Sequence, residues 1–296
     1  MSAFPHELLA RARPRDASEQ VRPRWQENAR SLGALGGAVG LALLAGFAPI
    51  HSAFELPVRL GLGGMAVVLL QVIARQARRV GTWPPEIEEG IGLLRAGDLG
   101  AANARLEVVL ADARIHPAFR AVALAWRGLI CLRHGDPARA QDLWAEVARS
   151  GHWRESGLRF AFCGVPGLLA LAAAVEGDLP RAQRFLESSP RIGGELGLGS
   201  RLLASTYLAA RSGDPQAARE MAREHWASAE ATLAPGELRA LRVLAAFAQT
   251  DVQSAVARSW REGARPGWPG ELDYLARTWP ELGGYLAQHG FGSGDG

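Results

Sequence analysis

Residues 135–140 read Gly-Asp-Pro-Ala-Arg-Ala, and this stretch recurs along the chain in recognisable form. Each copy contains a Gly-Asp pair and an alanine five residues after the glycine. Glycine adopts the left-handed conformation that ends many helices, and aspartate accepts hydrogen bonds from the free amides at the start of the next helix. Each copy therefore predicts a tight turn between two helices. Full copies begin at Gly97, Gly135, Gly177 and Gly213, and a degenerate copy, Thr250-Asp251 with Ala255, follows.

The spacing of these turns is regular, with steps of 38, 42, 36 and 37 residues between consecutive copies. Periods of this size are typical of proteins that stack helix pairs, because each pair buries its apolar face only against its neighbours. Apolar residues flank the Gly-Asp pairs with helical spacing. No segment alternates with a period of two over a length that would predict a sheet. The sequence therefore predicts an all-α fold.

The repeats resemble the tetratricopeptide repeat (TPR) family. The shared features are the Gly-Asp turn, the alanine five residues after the glycine, a small residue seven before it and a large residue nine after it. The period here exceeds the family's 34 residues. The resemblance covers Pro84 to Gly263, and it implies a right-handed α-solenoid of about five helix pairs over 86–263, whose first helices line a groove for a protein or peptide. The small residues are Gly90, Gly128 and Ala170, and the large ones are Leu106, Trp144 and Leu186.

Three arginines occupy one position of this pattern, two residues before the glycine: Arg95, Arg133 and Arg211. If the first helices line a groove, these arginines and Tyr207 are candidate contacts for a partner, because guanidinium groups bind carboxylates and phosphates. The alternative is that each cation is favoured only by the dipole at the carboxyl end of its helix. Val175 takes the equivalent position in the third copy and interrupts the row.

Two apolar stretches precede the repeats. Residues 31–50 carry no charge, and residues 56–74 carry only Arg59 near their start. About 20 apolar residues in a helix are long enough to cross the ~30 Å hydrocarbon core of a bilayer. The two stretches therefore predict a transmembrane helical hairpin over 31–79, with spans at about 31–50 and 56–74.

Arginines flank this hairpin on both sides, and its short connection contains none. Because cytoplasmic flanks are enriched in basic residues, we expect both termini in the cytoplasm. The predicted order is then a mobile, Arg-rich cytoplasmic arm (1–30), the hairpin, a linker (80–85) and the repeats. All 33 basic residues are arginine, which is typical of a GC-rich bacterial genome. The predicted location is therefore the bacterial inner membrane.

Two other interpretations of the apolar stretches are open. A cleaved signal peptide begins with a short basic region, whereas about 30 polar residues precede the first stretch here. A buried pair of core helices fits the second stretch, because its uncharged part spans only Leu60 to Ala74.

Small residues recur every four positions in the first stretch. Gly33, Gly36, Gly37 and Gly40 allow close helix approach in lipid. They form a candidate transmembrane packing face, either between the two spans or between copies in a homo-oligomer.

No motif argues for catalysis. Residues 61–66 match a dinucleotide fingerprint, but no strand is predicted on either side. The histidines lack metal-ligand spacing, and without lysine there is no P-loop or Schiff-base lysine. The region after residue 80 holds 23 arginines and 25 acidic residues, unlike a basic nucleic-acid-binding domain. We therefore expect no enzyme activity, no cofactor, no metal and no nucleic-acid partner.

Together these patterns predict a membrane-anchored scaffold or adaptor that binds a protein or peptide partner through its repeats. Residues 264–296 are expected to form a capping helix, interrupted near Trp279-Pro280, and a flexible tail. The alternative is an accessory or regulatory subunit of a membrane transport or secretion assembly, in which the hairpin makes the functional contacts.

The hairpin prediction is testable by alkaline carbonate extraction of bacterial membranes. We expect the full chain to remain in the membrane pellet. Replacing Leu43 and Leu44 with Asp should release it, because each charge near the centre of a span costs about 2.5–3.5 kcal/mol. The same replacement at Leu8 and Leu9, outside both spans, is the control and should change nothing. Release of the unmodified chain would contradict the prediction.

Overall fold

In a computed structural model of the protein, the described part of the chain is helical and contains no strand, which confirms the all-α prediction for those residues. The chain divides into two compact units, one formed by Met1–Val21 and Pro85–Gly296 and the other by Arg22–Pro84. The structure describes residues 17–47, 65, 67–68, 71, 84–152, 162–188, 197–249 and 253–293.

The described part of the larger unit starts with a short 3-10 helix, Ala17–Glu19, and continues with consecutive α-helices. The described helices are α1 (Arg24–Phe47) in the smaller unit and, in the larger unit, α2 (Pro85–Ala96), α3 (Leu99–Ala111), α4 (Pro117–Arg133), α5 (Pro137–Ser150), α6 (Val165–Glu176), α7 (Leu179–Ser188), α8 (Leu198–Arg211), α9 (Pro215–Glu224), α10 (Trp226–Thr232), α11 (Pro235–Phe247), α12 (Ala255–Gly263), α13 (Asp273–Ala276) and α14 (Pro280–Gln288). Neighbouring helices pack in pairs: α2 with α3, α4 with α5, α6 with α7, α8 with α9, and α11 with α12. In addition, α6 and α11 both pack on α8.

The four full Gly-Asp copies form the turns that the sequence predicts. Their glycines all have positive φ, between 74° and 94°. In the second copy, the Asp136 side chain accepts a hydrogen bond of 3.0 Å from the amide of Arg139 and so caps α5. The aspartates of the other three copies cap their helices in the same way. The alanines at the fifth position are fully buried: Ala102, Ala140, Ala182 and Ala218.

The degenerate copy does not follow this pattern. Residues 250–252 lie outside the described residues, and the cap of α12 is Ser254, whose hydroxyl accepts from the amide of Ala257 at 3.1 Å. Ala255 is exposed and Ala257 is buried. The degenerate copy therefore lacks the buried alanine of the four full copies, because the Ser254 cap makes Ala255 the first residue of the helix.

The pairing of a small and a large residue is realised in the first two helix pairs. Trp144 of α5 is fully buried against Gly128 of α4, and its indole nitrogen donates to the Ala125 carbonyl at 2.8 Å. Gly90 and Leu106 make the equivalent contact between α2 and α3. The glycine therefore provides the space that the large side chain of the second helix occupies.

The arm predicted over 1–30 is partly folded. Glu19 is 1 % exposed and forms ion pairs with Arg127 and Arg139 on α4 and α5. The amide of Val21 donates to Glu146 at 3.0 Å. The prediction of a mobile arm is wrong for these residues, because a buried carboxylate is stable only where cations and donors surround it.

The smaller unit contains α1, a helix of 24 residues that begins seven residues before the predicted first span. Leu32, Leu35 and Val39 of α1 are exposed. Within the described ranges, the structure has no helix that meets the length and hydropathy required to cross a bilayer. Of the second predicted span, only residues 65, 67, 68 and 71 are described. The hairpin therefore stays a prediction.

The contact between Gly128 and Trp144 gives a prediction for stability. A Cβ at position 128 would stand 2.5 Å from the Trp144 indole nitrogen. We expect Gly128→Ala to lower the free energy of unfolding by about 1–3 kcal/mol, the usual effect of overpacking a core.

The matched control is Gly92→Ala, in an exposed part of α2 where the added carbon meets no described atom within 4 Å. Alanine is the better helix former, so this variant should be more stable by up to about 1 kcal/mol. Urea unfolding measures both. Equal effects of the two substitutions would contradict the interpretation.

Candidate binding face of the first helices

The first helices α4, α6, α8 and α11 together present one surface of the larger unit, which we call the first-helix face. Residues 268–279, which we call the C-terminal segment, lie on it. Helix α13 within this segment packs on α4 and α6. The sequence predicts a cap over 264–296. Within this part, residues of the C-terminal segment contact three of the side chains predicted to line the groove.

Arg133, at the carboxyl end of α4, is buried beneath the segment. Its Nη2 donates to Glu237 of α11 at 2.7 Å, and its guanidinium carbon lies 5.8 Å from the centre of the Trp268 ring. Burial has the largest single effect on the pKa of Arg133 and lowers it, but the charge and hydrogen bond of Glu237, together with Tyr274 and Glu271, outweigh burial, so the pKa is raised. Arg133 is therefore a permanent cation with both a carboxylate and an aromatic partner.

Tyr207 and Arg211 of α8 hold the other end of the segment. The Tyr207 hydroxyl is fully buried and donates to the Leu275 carbonyl at 2.8 Å. Arg211 donates to the Thr278 hydroxyl at 2.8 Å and to the Thr278 carbonyl at 2.7 Å. The Thr278 hydroxyl in turn donates to the Val175 carbonyl at 2.6 Å. These contacts recognise main-chain carbonyls, which every polypeptide offers.

A bidentate ion pair fixes the loop that leads into the segment. Arg239 of α11 donates to both oxygens of Glu271, at 2.9 and 2.5 Å, and Glu271 also accepts from the Gly267 amide at 2.6 Å. Further along, the Trp279 ring packs edge-on against Tyr207 and Phe247, with centroids 5.2 and 5.1 Å away. The segment is thus held at both ends by charge and by aromatic packing.

The predicted groove residues therefore fall into two groups, those that contact the C-terminal segment and one that is exposed. Arg133, Tyr207 and Arg211 all contact the C-terminal segment, and Tyr207 and Arg211 also contact each other at 3.3 Å. Arg95 lies exposed on the last turn of α2. Close by, Gly97 contacts the Trp268 ring so tightly that an added Cβ would overlap it. Two of the three arginines thus have partners within the chain.

Among the described residues, no side chain or backbone packs on the predicted packing face of α1. Gly33, Gly36 and Gly37 are exposed, and a Cβ added there or at Gly40 meets no described atom within 4 Å. Its role in contact with lipid or another helix stays a prediction.

A cavity of about 120 Å³ opens between α4, α6, α8 and α11. Its walls are mainly apolar, with Trp126, Leu129, Val165 and Leu168 among them, and Glu237 also lines it. Burial raises the pKa of the Cys163 thiol, another lining group, so this thiol is protonated and weakly nucleophilic at neutral pH.

Sequence reasoning missed two residues of this face, Trp126 and Glu237, and two of the C-terminal segment, Trp268 and Thr278. Glu237 lies in the first turn of α11, where the helix dipole favours an acidic residue in any protein. Its sequence context therefore contains no sign of a partner on α4. One sequence signal could have indicated that the region after the last repeat is packed. Trp268 is followed by three more large aromatic residues before residue 290.

Within the described ranges, no group of three or more histidine, cysteine or acidic side chains is placed to bind a metal ion. Comparison of the chain with known protein families, curated proteins and solved structures gave no match.

The hydroxyl of Tyr207 gives a pH-dependent prediction. Burial raises its pKa to about 12, against about 10 in an unfolded chain. Above pH 10 the unfolded chain loses this proton while the native protein keeps it, so stability should fall as pH rises towards 12, by up to about 3 kcal/mol.

Tyr207→Phe tests this contribution, because phenylalanine has no proton to lose. At pH 7 the variant should be less stable by about 1 kcal/mol, since the Leu275 carbonyl loses its donor. Between pH 10 and 12 its stability should fall less steeply than that of the unmodified chain. Urea unfolding at pH 7, 10 and 11 measures both effects. Parallel losses in the two proteins would contradict the assignment.

Proposed function

We propose that the protein is a membrane-anchored cytoplasmic adaptor that binds a peptide segment of a protein partner on the first-helix face. In this proposal the helix pairs form a TPR-like right-handed solenoid, and the hairpin over 31–79 is the anchor in the bacterial inner membrane. The adaptor positions its partner at the bilayer without catalysing a reaction.

The observation that carries the proposal is the way in which this face holds the chain's own C-terminal segment. Arg211 and Tyr207 bind the carbonyls of Thr278 and Leu275, and Arg133 packs against the Trp268 ring. Main-chain carbonyls and an aromatic side chain are features that a segment of another protein can present equally well. A face that binds one polypeptide segment by these contacts is therefore suited to bind a similar one from a partner.

Support for the anchor comes from where apolar surface is exposed. Among the described residues, seven of the nine large exposed apolar side chains lie in the unit Arg22–Pro84, although this unit is much the shorter. Exposed apolar surface concentrated in one part of a chain marks contact with lipid or with another protein. Those seven residues are Trp25, Leu32, Leu35, Val39, Met65, Val67 and Val68.

A second candidate function is that of an accessory or regulatory subunit of a membrane transport or secretion assembly. The exposed glycines of α1, Gly33, Gly36 and Gly37, support it, because small residues permit close packing of a helix from another subunit. Leucine at Gly36 and Gly40 would abolish assembly in this case and leave an adaptor unaffected.

The adaptor proposal predicts that a peptide with the sequence of residues 266–281 competes for the face. We expect the fluorescently labelled peptide to bind the full-length variant Trp268→Ala/Thr278→Ala at least about tenfold more tightly than the unmodified chain. The reason is that the internal segment, at high effective concentration, no longer occupies the site. Fluorescence anisotropy measures the affinity.

Adding Arg211→Ala to the double variant should weaken binding again, because the Thr278 carbonyl of the peptide loses its donor. Arg223→Ala, at an exposed arginine of α9, is the matched control and should have no effect. The proposal fails if the double variant binds no more tightly than the unmodified chain, or if both arginine substitutions weaken binding equally.

A further inference from the structure

Arg239 of α11 is a largely buried cation of the first-helix face, and the C-terminal segment supplies its counter-charge. Its side chain is 20 % exposed, and that of its ion-pair partner Glu271 is 1 % exposed. Within the part of the chain that the structure describes, no other carboxylate pairs with Arg239. Arg133 differs, because its partner Glu237 belongs to α11 and not to the segment. A cation with little hydration is stable mainly beside an anion. A partner that replaces the segment must therefore offer a carboxylate to Arg239.

The turn that contains Glu271 sets the position of this carboxylate. Glu271 accepts from the Gly267 amide at 2.6 Å, and its own amide donates to the Trp268 carbonyl at 3.3 Å. Gly236 of α11 leaves room for the carboxylate, because a Cβ there would overlap both a Glu271 oxygen and the Arg133 guanidinium. The acidic residue therefore reaches its place on a tight turn, three positions after the aromatic residue.

The aromatic residue of the segment lies between two other elements of the larger unit. The Trp268 ring is 5.8 Å from the guanidinium carbon of Arg133, at the end of α4. It also contacts Gly97, in the turn between α2 and α3, where an added Cβ would overlap the ring. A guanidinium is attracted to the face of an aromatic ring, and an aliphatic side chain offers no such attraction. This place therefore favours a flat aromatic ring.

We propose that the first-helix face selects partner segments in which an aromatic residue is followed three positions later by glutamate, as Glu271 follows Trp268. Arg239 selects the carboxylate, and Arg133 together with the adjacent Gly97 selects the ring. The partner is thus a protein that presents an acidic, aromatic segment as a turn. The proposal rests on the adaptor function proposed above, and it adds the chemistry of the segment that the face recognises.

The test measures peptide binding to the full-length double variant Trp268→Ala/Thr278→Ala by fluorescence anisotropy. The probes are the labelled peptide of residues 266–281 and single-residue variants of that peptide, so the protein is the same in every measurement. We expect Glu271→Gln in the peptide to weaken binding at least about tenfold, because a neutral amide forms no ion pair with Arg239.

Two further sets of peptides test the charge and the ring separately. Asp273→Asn removes the same charge from a residue whose hydrogen-bond partner, Ser293, lies outside the peptide. This matched control should bind within about twofold of the unmodified peptide. At Trp268, phenylalanine keeps a ring and leucine does not. We expect the leucine peptide to bind at least about threefold more weakly than the phenylalanine peptide, since only a ring attracts the Arg133 guanidinium.

A third protein substitution links the carboxylate of the peptide to Arg239. Adding Arg239→Gln to the double variant should weaken binding of the unmodified peptide at least about tenfold. In this variant the unmodified and Glu271→Gln peptides should bind alike, because their difference depends on the arginine. The far-UV circular dichroism spectrum checks that the added substitution leaves the fold intact.

The outcomes distinguish this specificity from the adaptor function itself. If the unmodified peptide binds the double variant no more tightly than the unmodified chain, the adaptor function fails and the specificity fails with it. If that peptide binds more tightly but the Glu271→Gln and Asp273→Asn peptides bind equally well, the adaptor function stands and the specificity is overturned. The same holds if the leucine peptide binds as tightly as the phenylalanine peptide.

Discussion

The buried ion pair between Arg133 and Glu237 is the interaction on which the arrangement of the larger unit depends. It joins α4 to α11 across 104 residues of sequence, and both side chains are about 5 % exposed or less. Charges buried to this extent are tolerated only as a pair, because an unpaired one would leave a large desolvation cost uncompensated. The pair also links two features of the first-helix face. Its arginine packs against Trp268 of the C-terminal segment, and its glutamate lines the cavity.

The helix pairs provide the frame in which this ion pair forms. Each Gly-Asp turn ends one helix and caps the next within six residues, so the length and end of each helix are set locally. Where the two helices cross, a glycine such as Gly128 lets a large residue such as Trp144 lie close to the backbone. The carboxyl ends of α4 and α8 then present Arg133, Tyr207 and Arg211 on one surface. The C-terminal segment occupies that surface with carbonyl, hydroxyl and aromatic groups.

The sequence identifies the three arginines as a repeated feature, but it does not predict what each of them contacts. The helix dipole favours a cation in the last turn of a helix, whatever else that cation contacts. The sequence therefore gives Arg95, Arg133 and Arg211 equivalent positions and does not distinguish their contacts. In three dimensions Arg95 is exposed, Arg133 is buried in an ion pair, and Arg211 holds Thr278. The difference lies in the path of residues 268–279, which pack on α4 and α6 and also contact α8 and α11, all formed earlier in the chain. The repeat pattern of the sequence contains no information about this path.

By itself, the sequence determined the helical class, the positions of four helix-ending turns and the small-to-large contacts within pairs, because each of these follows from interactions between residues close in the chain. The hairpin prediction over 31–79 likewise follows from the hydropathy of two stretches, each considered by itself. Only the tertiary structure decided that Glu19 is buried, that the C-terminal segment contacts Arg133, Tyr207 and Arg211, and that a mainly apolar cavity lies on the same face. These features depend on contacts between residues far apart in sequence, and their energies come from burial and charge pairing that exist only once the helices are packed.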